Sequence, residues 1–298
     1  MRTAFINALM EEARVRPEVF LVVGDLGFSV VEPFAEAFPD RYLNAGVAEQ
    51  NMTGVAAGLA SEGFHVFTYS IANFPTLRCL EQVRNDVCYH DLPVTVVAVG
   101  AGFAYGNLGY SHHAVQDISA MRGMPNMTVL SPADPGETRE SVRWLSANPG
   151  PSYLRLGKAG ESDLHSVRGI ERGPIRVRDG GGDIALIASG AVLRVAIDAA
   201  EQLSSLGVSA SVYSAPMLKP VDAQAFLRLN AYRVLAVVEE HVQEGGLAEL
   251  LGLLVRAPEL IAFGARAGAQ DIVGSQSYLR ERVGISSESI VGRLLEIS

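Results

Sequence analysis

Two segments of the chain place groups that can exchange protons just after a strand. The first is Asn44-Ala-Gly-Val-Ala-Glu49-Gln-Asn-Met52, in which Glu49 stands in the first turn of a predicted helix. Because that helix is small and apolar on every side, it is expected to pack closely against another backbone and to bury the Glu49 carboxyl group. A carboxyl group at the edge of such a dry interface can share or donate a proton near neutral pH. Residue type alone leaves open that Glu49 only complements the helix dipole.

The second segment is a glycine-rich loop, Gly106-Asn-Leu-Gly109-Tyr-Ser-His112-His113, which carries two adjacent histidines. The loop follows a predicted strand, so it is expected at the carboxyl edge of a sheet, where α/β proteins bind their ligands. Histidine titrates near working pH and is the usual proton-transfer group. The spacing makes both imidazoles candidates for catalysis and leaves a structural role open.

The elements that position these groups alternate between apolar strands and amphipathic helices. Continuous Val/Ile/Leu runs separated by helices are typical of a parallel sheet covered on both faces. The predicted strands are 19–24, 41–44, 64–69, 94–100, 127–130 and 152–156, and the predicted helices are 3–16, 49–61, 76–90, 114–122 and 134–146.

A polar, glycine-rich stretch at 157–182 interrupts the pattern and is predicted to be a linker. A second alternating block follows it, with strands at 184–189, 208–213 and 233–239. The fold class is therefore α/β. We predict two tandem three-layer domains, a mainly parallel one at 1–156 and a smaller one at 183–298.

Composition excludes several classes of protein. With 24 Lys+Arg against 33 Asp+Glu, the net charge of −9 argues against a binder of nucleic acid or of anionic membranes. No apolar run approaches the roughly 18 residues of a membrane span, and the N-terminus lacks the apolar centre of a signal peptide. Cys79 and Cys88 are the only cysteines and are interpreted as reduced thiols of a cytoplasmic protein. No metal-binding motif is present, and no metal site is predicted within the chain.

The order of the motifs along the chain indicates a family resemblance. Asn-x-Gly-x-x-Glu-x-x-Met, an aromatic stretch, Gly-x-x-Gly-x-Ser/Thr-His and Pro-Asn…Pro-Ala-Asp resemble the pyrimidine-binding domain of transketolases. The segment Glu239-Glu240-His241…Glu244-Gly245-Gly246 resembles their C-terminal domain. The likeness covers essentially the whole chain but does not include the domain that binds the diphosphate of thiamine diphosphate through Mg²⁺ and a Gly-Asp-Gly…Asn motif. Gly24-Asp25-Leu26 lacks the last glycine of that motif. The chain is thus similar to the smaller subunit of a split transketolase.

The resemblance implies roles for individual residues. Glu49 matches the glutamate that bonds N1′ of the aminopyrimidine and favours its imino tautomer, which then deprotonates C2 of the thiazolium. His112 matches a histidine that binds substrate hydroxyls and assists proton transfer. Arg155 matches an arginine that binds substrate phosphate, and His113 and Asp25 are further candidates for substrate binding.

The aromatic platform under the pyrimidine ring is expected in Phe67-Thr-Tyr69-Ser-Ile-Ala-Asn-Phe74. Phe74 is the first candidate, Tyr69 the second, and Phe67 is included as a third. For each of them a place in the ordinary core stays an equal alternative.

The implied function is transfer of a two-carbon ketol unit from a phosphorylated ketose to an aldehyde. The implied partner is a larger subunit that carries Mg²⁺ and the diphosphate site, in a heterotetramer. Leu108 and Gly100 replace an aspartate and a histidine that many transketolases use to read sugar hydroxyls. The usual pentose-phosphate substrates are therefore in question. The alternatives are the β-subunit of a 2-oxo acid dehydrogenase, a 1-deoxyxylulose-5-phosphate synthase-like enzyme, and an inactive scaffold.

Overall fold

Short apolar runs in the first half of the chain form a mainly parallel sheet, as their composition predicts. The computed structural model describes residues 1–158, 160–257, 259–265 and 271–297, so the predicted second domain extends one residue past the described part. Within that part the first sheet comprises β1 (Val19–Val23), β2 (Tyr42–Asn44), β3 (His65–Ile71), β4 (Val94–Val99), β5 (Thr128–Leu130), β6 (Ser152–Leu156) and β10 (Met217–Lys219).

These strands lie in the order β10-β5-β6-β4-β3-β1-β2. All neighbouring pairs are parallel except β10 and β5, which are antiparallel. Because β2, β1 and β3 are adjacent and parallel, the loops that follow them meet at one edge of the sheet. The loop after β2 leads into Glu49 at the start of α3, and Phe74 lies on the loop after β3.

The second sheet has the order β12-β11-β8-β9-β7, with β7 antiparallel to β9. Its strands are β7 (Ile175–Arg178), β8 (Ile184–Ser189), β9 (Ala210–Ser214), β11 (Val234–Val242) and β12 (Glu259–Ala265). Strand β7 lies inside the segment predicted as a linker, because its alternating apolar residues pair with β9 despite their polar neighbours. The fold class predicted from the sequence, two tandem α/β domains, is confirmed.

Helices cover the faces of both sheets. In the described part of the chain they are α1 (Arg2–Val15), α2 (Glu32–Ala37), α3 (Glu49–Ser61), α4 (Leu80–Gln82), α5 (Asp117–Gly123), α6 (Pro135–Ala147), α7 (Leu193–Ser205), α8 (Ala223–Phe226), α9 (Leu247–Leu254), α10 (Gln276–Arg282) and α11 (Ser287–Leu295). No helix among the described residues is long and apolar enough to cross a membrane.

Two helices differ from expectation. The predicted helix 76–90 is a 3₁₀ turn (Leu77–Cys79), the short α4 and a π-helical turn (Val83–Cys88).

Helix α3 buries only one face within the chain: Met52 and Ala56 are buried, whereas a Cβ added at Gly54 or Gly58 would meet nothing within 4 Å. The open glycine face of α3 thus remains available to another protein.

The two domains share one of their apolar cores. Val96, Ile118 and Met121 of the first domain belong to the same cluster as Ile187 and Leu247 of the second. The domains therefore pack against each other through buried apolar side chains.

Candidate active site

Glu49 begins α3 directly after the β2 loop, and only 2% of its surface is exposed. The Ser70 hydroxyl, on β3, donates to Glu49 Oε1 at 3.2 Å. Gly24, at the end of β1, borders the same carboxylate: a Cβ added there would lie 3.5 Å from the Glu49 side chain. The predicted burial of Glu49 is thus present in the single chain, at the carboxyl edge of the sheet.

Arg78 supplies the second partner of that carboxylate, and sequence reasoning missed it. Its Nη1 donates to Glu49 Oε2 at 2.7 Å, and its Cζ lies 4.2 Å from the centroid of the Phe74 ring. The side-chain amide of Gln50 binds the Arg78 carbonyl at 3.1 Å and ties the two segments together. The position of Arg78, four residues after Phe74, was the available signal, but a regular helix over 76–90 gave no reason to turn it toward Glu49.

Phe74 and His112 lie beside each other. Their ring centroids are 5.3 Å apart at an interplanar angle of 70°, an edge-to-face contact. Asn73 holds the histidine loop in place by donating from its amide to the carbonyls of Ser111 and His113, at 3.1 and 2.9 Å. Contacts thus run from Glu49 through Arg78 to Phe74 and on to His112.

The His112 ring is half-buried, and its Nδ1 lies 3.0 Å from the Ser111 hydroxyl. Burial, and secondarily the charge of neighbouring His113, lowers the pKa of His112. The imidazole is accordingly neutral near pH 7, so it can accept a proton at one nitrogen and donate from the other.

Tyr69 and Phe67 lie in the core of the first domain and are corrected as candidates for the aromatic platform. The Phe67 side chain is fully buried, and Tyr69 stacks on Phe5 with ring centroids 5.8 Å apart. Burial raises the pKa of the Tyr69 phenol. Neither ring offers a free face to a ligand, whereas the Phe74 ring faces the site.

Arg155 and His113 are also corrected. Arg155 is 2% exposed, and its guanidinium donates to Asp117 and to the carbonyls of Ala114 and Glu240. Because these contacts enclose it, Arg155 cannot reach a substrate phosphate. His113 is buried too, with its Nε2 3.2 Å from the Gly106 carbonyl oxygen. Both residues hold the interior together.

Asp25 lies exposed at the rim of the Glu49 site, with a left-handed φ of +56°. Its side chain accepts a hydrogen bond from the Asn44 amide at 2.9 Å, and its backbone N–H donates to Asn44 Oδ1 at 3.1 Å. This reciprocal pair joins the loops after β1 and β2. The Asp25 carboxylate is therefore exposed to solvent and paired with Asn44.

The presence of glycine rather than histidine at position 100 has a steric explanation. Its φ is +96°, and a Cβ added there would lie 2.3 Å from the ring of Tyr105. No histidine fits at this position while Tyr105 stays in place. Leu108 is half exposed on the neighbouring loop and brings an apolar surface where an aspartate is common in transketolases.

The arrangement of Glu49 and Phe74 suits a flat heterocycle that carries N–H groups. A buried carboxylate accepts hydrogen bonds at one end, an aromatic face lies at the other, and the planar guanidinium of Arg78 already makes both contacts. The described residues hold no group of three His, Cys, Asp or Glu side chains that could bind a metal ion.

The family of the chain follows from two matches that together span nearly all of it. The model of the transketolase pyrimidine-binding domain matches residues 1–160, and that of the transketolase C-terminal domain matches residues 173–290. The chain belongs to the transketolase family, and membership of it implies dependence on thiamine diphosphate.

Two relatives of similar length are named as transketolase subunits. The chain is 33% identical over 300 residues to a subunit of the apulose-4-phosphate transketolase of Actinobacillus succinogenes, with 99% of this chain and 96% of the relative covered. It is 33% identical over 309 residues to a 6-deoxy-6-sulfo-D-fructose transketolase subunit of a Clostridium species, with 100% and 94% covered. A solved structure described as a split-gene transketolase, inactive β4 tetramer, superposes with a TM-score of 0.86 at 31% identity and covers 99% of this chain and 96% of its own. The prediction of a split transketolase subunit is confirmed.

Proposed function

We propose that this chain is the smaller subunit of a transketolase that moves a two-carbon ketol unit from an anionic ketose to an aldehyde. The observation that carries the proposal is the buried Glu49 carboxylate, which Arg78 bridges to the Phe74 ring, itself in contact with His112. A buried carboxylate and an aromatic face are what the pyrimidine half of thiamine diphosphate needs. When bound, the cofactor supplies the carbon nucleophile and the electron sink for cleaving the ketose C–C bond.

The residues of this chain divide the remaining work. Glu49 would hold the aminopyrimidine of the cofactor by sharing a proton with its N1′. Phe74 would support the pyrimidine ring by stacking. His112, neutral near pH 7, hydrogen-bonds a substrate hydroxyl and takes or returns its proton as the C–C bond breaks or forms.

The partner is a larger subunit that contributes Mg²⁺ and the diphosphate site. Two features of the described surface support this: the open glycine face of α3, and the exposed apolar side chains on the loops around Glu49. Phe28 and Val47 are 74% and 73% exposed, and Leu77 is 40% exposed. Apolar groups clustered at one sheet edge are typical of a surface that another protein covers. An assembly of two copies of each subunit places each site between two different chains.

The substrate is a ketose that carries a phosphate or a comparable anionic group. The named substrates of the two split relatives, apulose-4-phosphate and 6-deoxy-6-sulfo-D-fructose, share an anionic group on different sugars. With Gly100 and Leu108 in place of a histidine and an aspartate, and with Arg155 enclosed, sugar recognition differs from that of transketolases that keep those two polar residues. Asp25, at the rim, stays a candidate for contact with a hydroxyl.

The test begins with a tag on this chain, purification from the native host and intact mass of the stoichiometric partner. In the purified complex, Glu49→Gln abolishes ketol transfer with assembly unchanged, because the amide cannot hold the proton shared with N1′. Glu62→Gln, an exposed carboxylate just beyond the other end of α3, is the matched control and keeps wild-type turnover. Wild-type rates in the Glu49→Gln complex would refute the mechanism.

The same complex separates the alternatives. Release of CO₂ from pyruvate without joining of the two-carbon remainder to an aldehyde phosphate identifies the β-subunit of a 2-oxo acid dehydrogenase. Release of CO₂ together with that joining identifies a 1-deoxyxylulose-5-phosphate synthase-like enzyme. A complex that binds no cofactor and turns over none of these substrates is an inactive scaffold.

A further inference from the structure

Arg78 takes no part in the reaction proposed above, yet it makes two of the closest contacts in the site. Its Nη1 donates to Glu49 Oε2 at 2.7 Å, and its Cζ lies 4.2 Å above the Phe74 ring. These are the two contacts, a hydrogen bond to Glu49 and stacking on Phe74, that the proposed function assigns to the aminopyrimidine.

The Arg78 guanidinium and the aminopyrimidine cannot both make these contacts at the same time. The Arg78 Cζ lies 4.2 Å from the centroid of the Phe74 ring, within the range of a cation–π contact, so the guanidinium covers one face of that ring. We propose that Arg78 occupies the pyrimidine half of the site in the chain without cofactor, and that its departure from Glu49 and Phe74 is a step in cofactor binding. This inference rests on the proposed function, because it takes Glu49 and Phe74 as the groups that hold the pyrimidine.

The physical chemistry explains both why Arg78 binds and why it can leave. A buried carboxylate that lacks a donor is costly, and Arg78 supplies that donor while the site is empty. The Ser70 hydroxyl donates to the other oxygen, Glu49 Oε1, and keeps that contact when Arg78 moves. The Arg78 side chain is 45% exposed and projects from the 3₁₀ turn Leu77–Cys79, so its charge regains water when it swings out.

Arg78 therefore sets the apparent affinity for the cofactor. When a binding-competent state is only partly populated, the apparent dissociation constant rises in inverse proportion to that population. A site that Arg78 leaves open for about one tenth of the time binds about tenfold more weakly than a permanently open one.

Titration calorimetry of thiamine diphosphate into the purified complex, with Mg²⁺ in excess, tests the proposal. Arg78→Met removes the charge and the hydrogen bond and keeps the length of the side chain. We expect its dissociation constant to be about three- to tenfold lower than that of the wild type, by the population argument. Arg84→Met is the matched control, since Arg84 is exposed and donates only to the adjacent Asn85 among the hydrogen bonds described for it, and its dissociation constant should equal that of the wild type.

The outcomes separate this inference from the function on which it rests. Wild-type binding together with equal or weaker binding by Arg78→Met overturns the role of Arg78 and leaves the proposed function standing. Absence of binding by every complex, wild type included, overturns both. If Arg78→Met does not assemble, Arg78→Lys decides by the same criterion, because an ammonium keeps the charge but cannot stack as a flat fork on Phe74.

Discussion

Arg155 and Asp117 form a fully enclosed ion pair, with Arg155 Nε donating to Asp117 Oδ2 at 2.7 Å. The same guanidinium donates to the carbonyl of Ala114 in the first domain and to that of Glu240 in the second. Burial alone would raise the pKa of Asp117, but the charge of Arg155, helped by that of His241, outweighs it and lowers that pKa. The buried, charged Arg155 side chain therefore connects the two domains through its hydrogen bonds.

Arg155→Leu should destabilise the protein strongly, because it leaves the Asp117 charge buried without its partner. Breaking a buried pair from one side costs about 3–5 kcal/mol in the free energy of unfolding, measured by urea denaturation. Arg139→Leu provides the comparison, since Arg139 pairs with Asp163 at an exposed site. That exposed pair contributes about 0–1 kcal/mol. Equal losses in the two variants would contradict the assignment of Arg155 to the interior.

Phe74→Ala and Phe67→Ala should separate cofactor binding from stability. Phe74 faces the site, so its loss should weaken thiamine diphosphate binding by the complex about three- to tenfold, the value of one stacking contact. Phe67 is fully buried among core aromatics, so its loss should cost about 3–5 kcal/mol of unfolding free energy and leave the affinity of the folded complex unchanged. Calorimetry and urea denaturation on both variants check the pair, and the reverse pattern would show that Phe67 is the platform.

His65 should make the protein less stable in mild acid. Burial, helped by the charge of Arg16, lowers the pKa of His65 to about 4 from its ordinary value of 6.5. Between these values the unfolded chain binds more protons than the folded one, so unfolding becomes easier as the pH falls. The His65 contribution lost between pH 7 and pH 5 is about 2 kcal/mol.

His65→Gln should shrink the difference in unfolding free energy between pH 7 and pH 5 by that amount, and the exposed His90→Gln variant is its control. The buried Glu239 acts in the opposite direction. Burial raises the pKa of Glu239 to about 7, so its stabilising protonation is lost as the pH rises from about 4.5 to 7. Glu239 is present in both variants, so its effect cancels in the comparison. An unchanged difference in His65→Gln would show that burial does not lower the pKa of His65.

The sequence predicted most of the strands and helices, because the positions that are buried in an element determine which residue types occupy them. The strand predicted over 94–100 is observed as Val94–Val99. The helix predicted over 134–146 is observed as Pro135–Ala147, capped by Asp134, which accepts from the Glu137 N–H at 2.7 Å. Glu49 was found for the same reason, since its helix carries the composition of a closely packed surface.

The errors in the predicted site concern the direction in which a side chain points and its distance from the site. Residue type determines neither. Arg155 lies on a central strand, and only the packing of the second domain shows that its guanidinium points into the interior. Phe67 and Tyr69 stand two residues apart on β3, so both point to the same face of the sheet, toward α1 and Phe5. Arg78 was missed because the helix predicted over 76–90 breaks into irregular turns, which re-aim its side chain.

Strand β10 belongs by position to the second domain, yet it completes the first sheet by pairing with β5. Without β10, β5 would be an open edge whose unpaired N–H and C=O groups could recruit a strand from another molecule. A fragment that stops at residue 160, the end of the first family match, would carry this unprotected edge and tend to aggregate. The second domain therefore protects an edge of the first from aggregation, and the two are expected to fold as one cooperative unit.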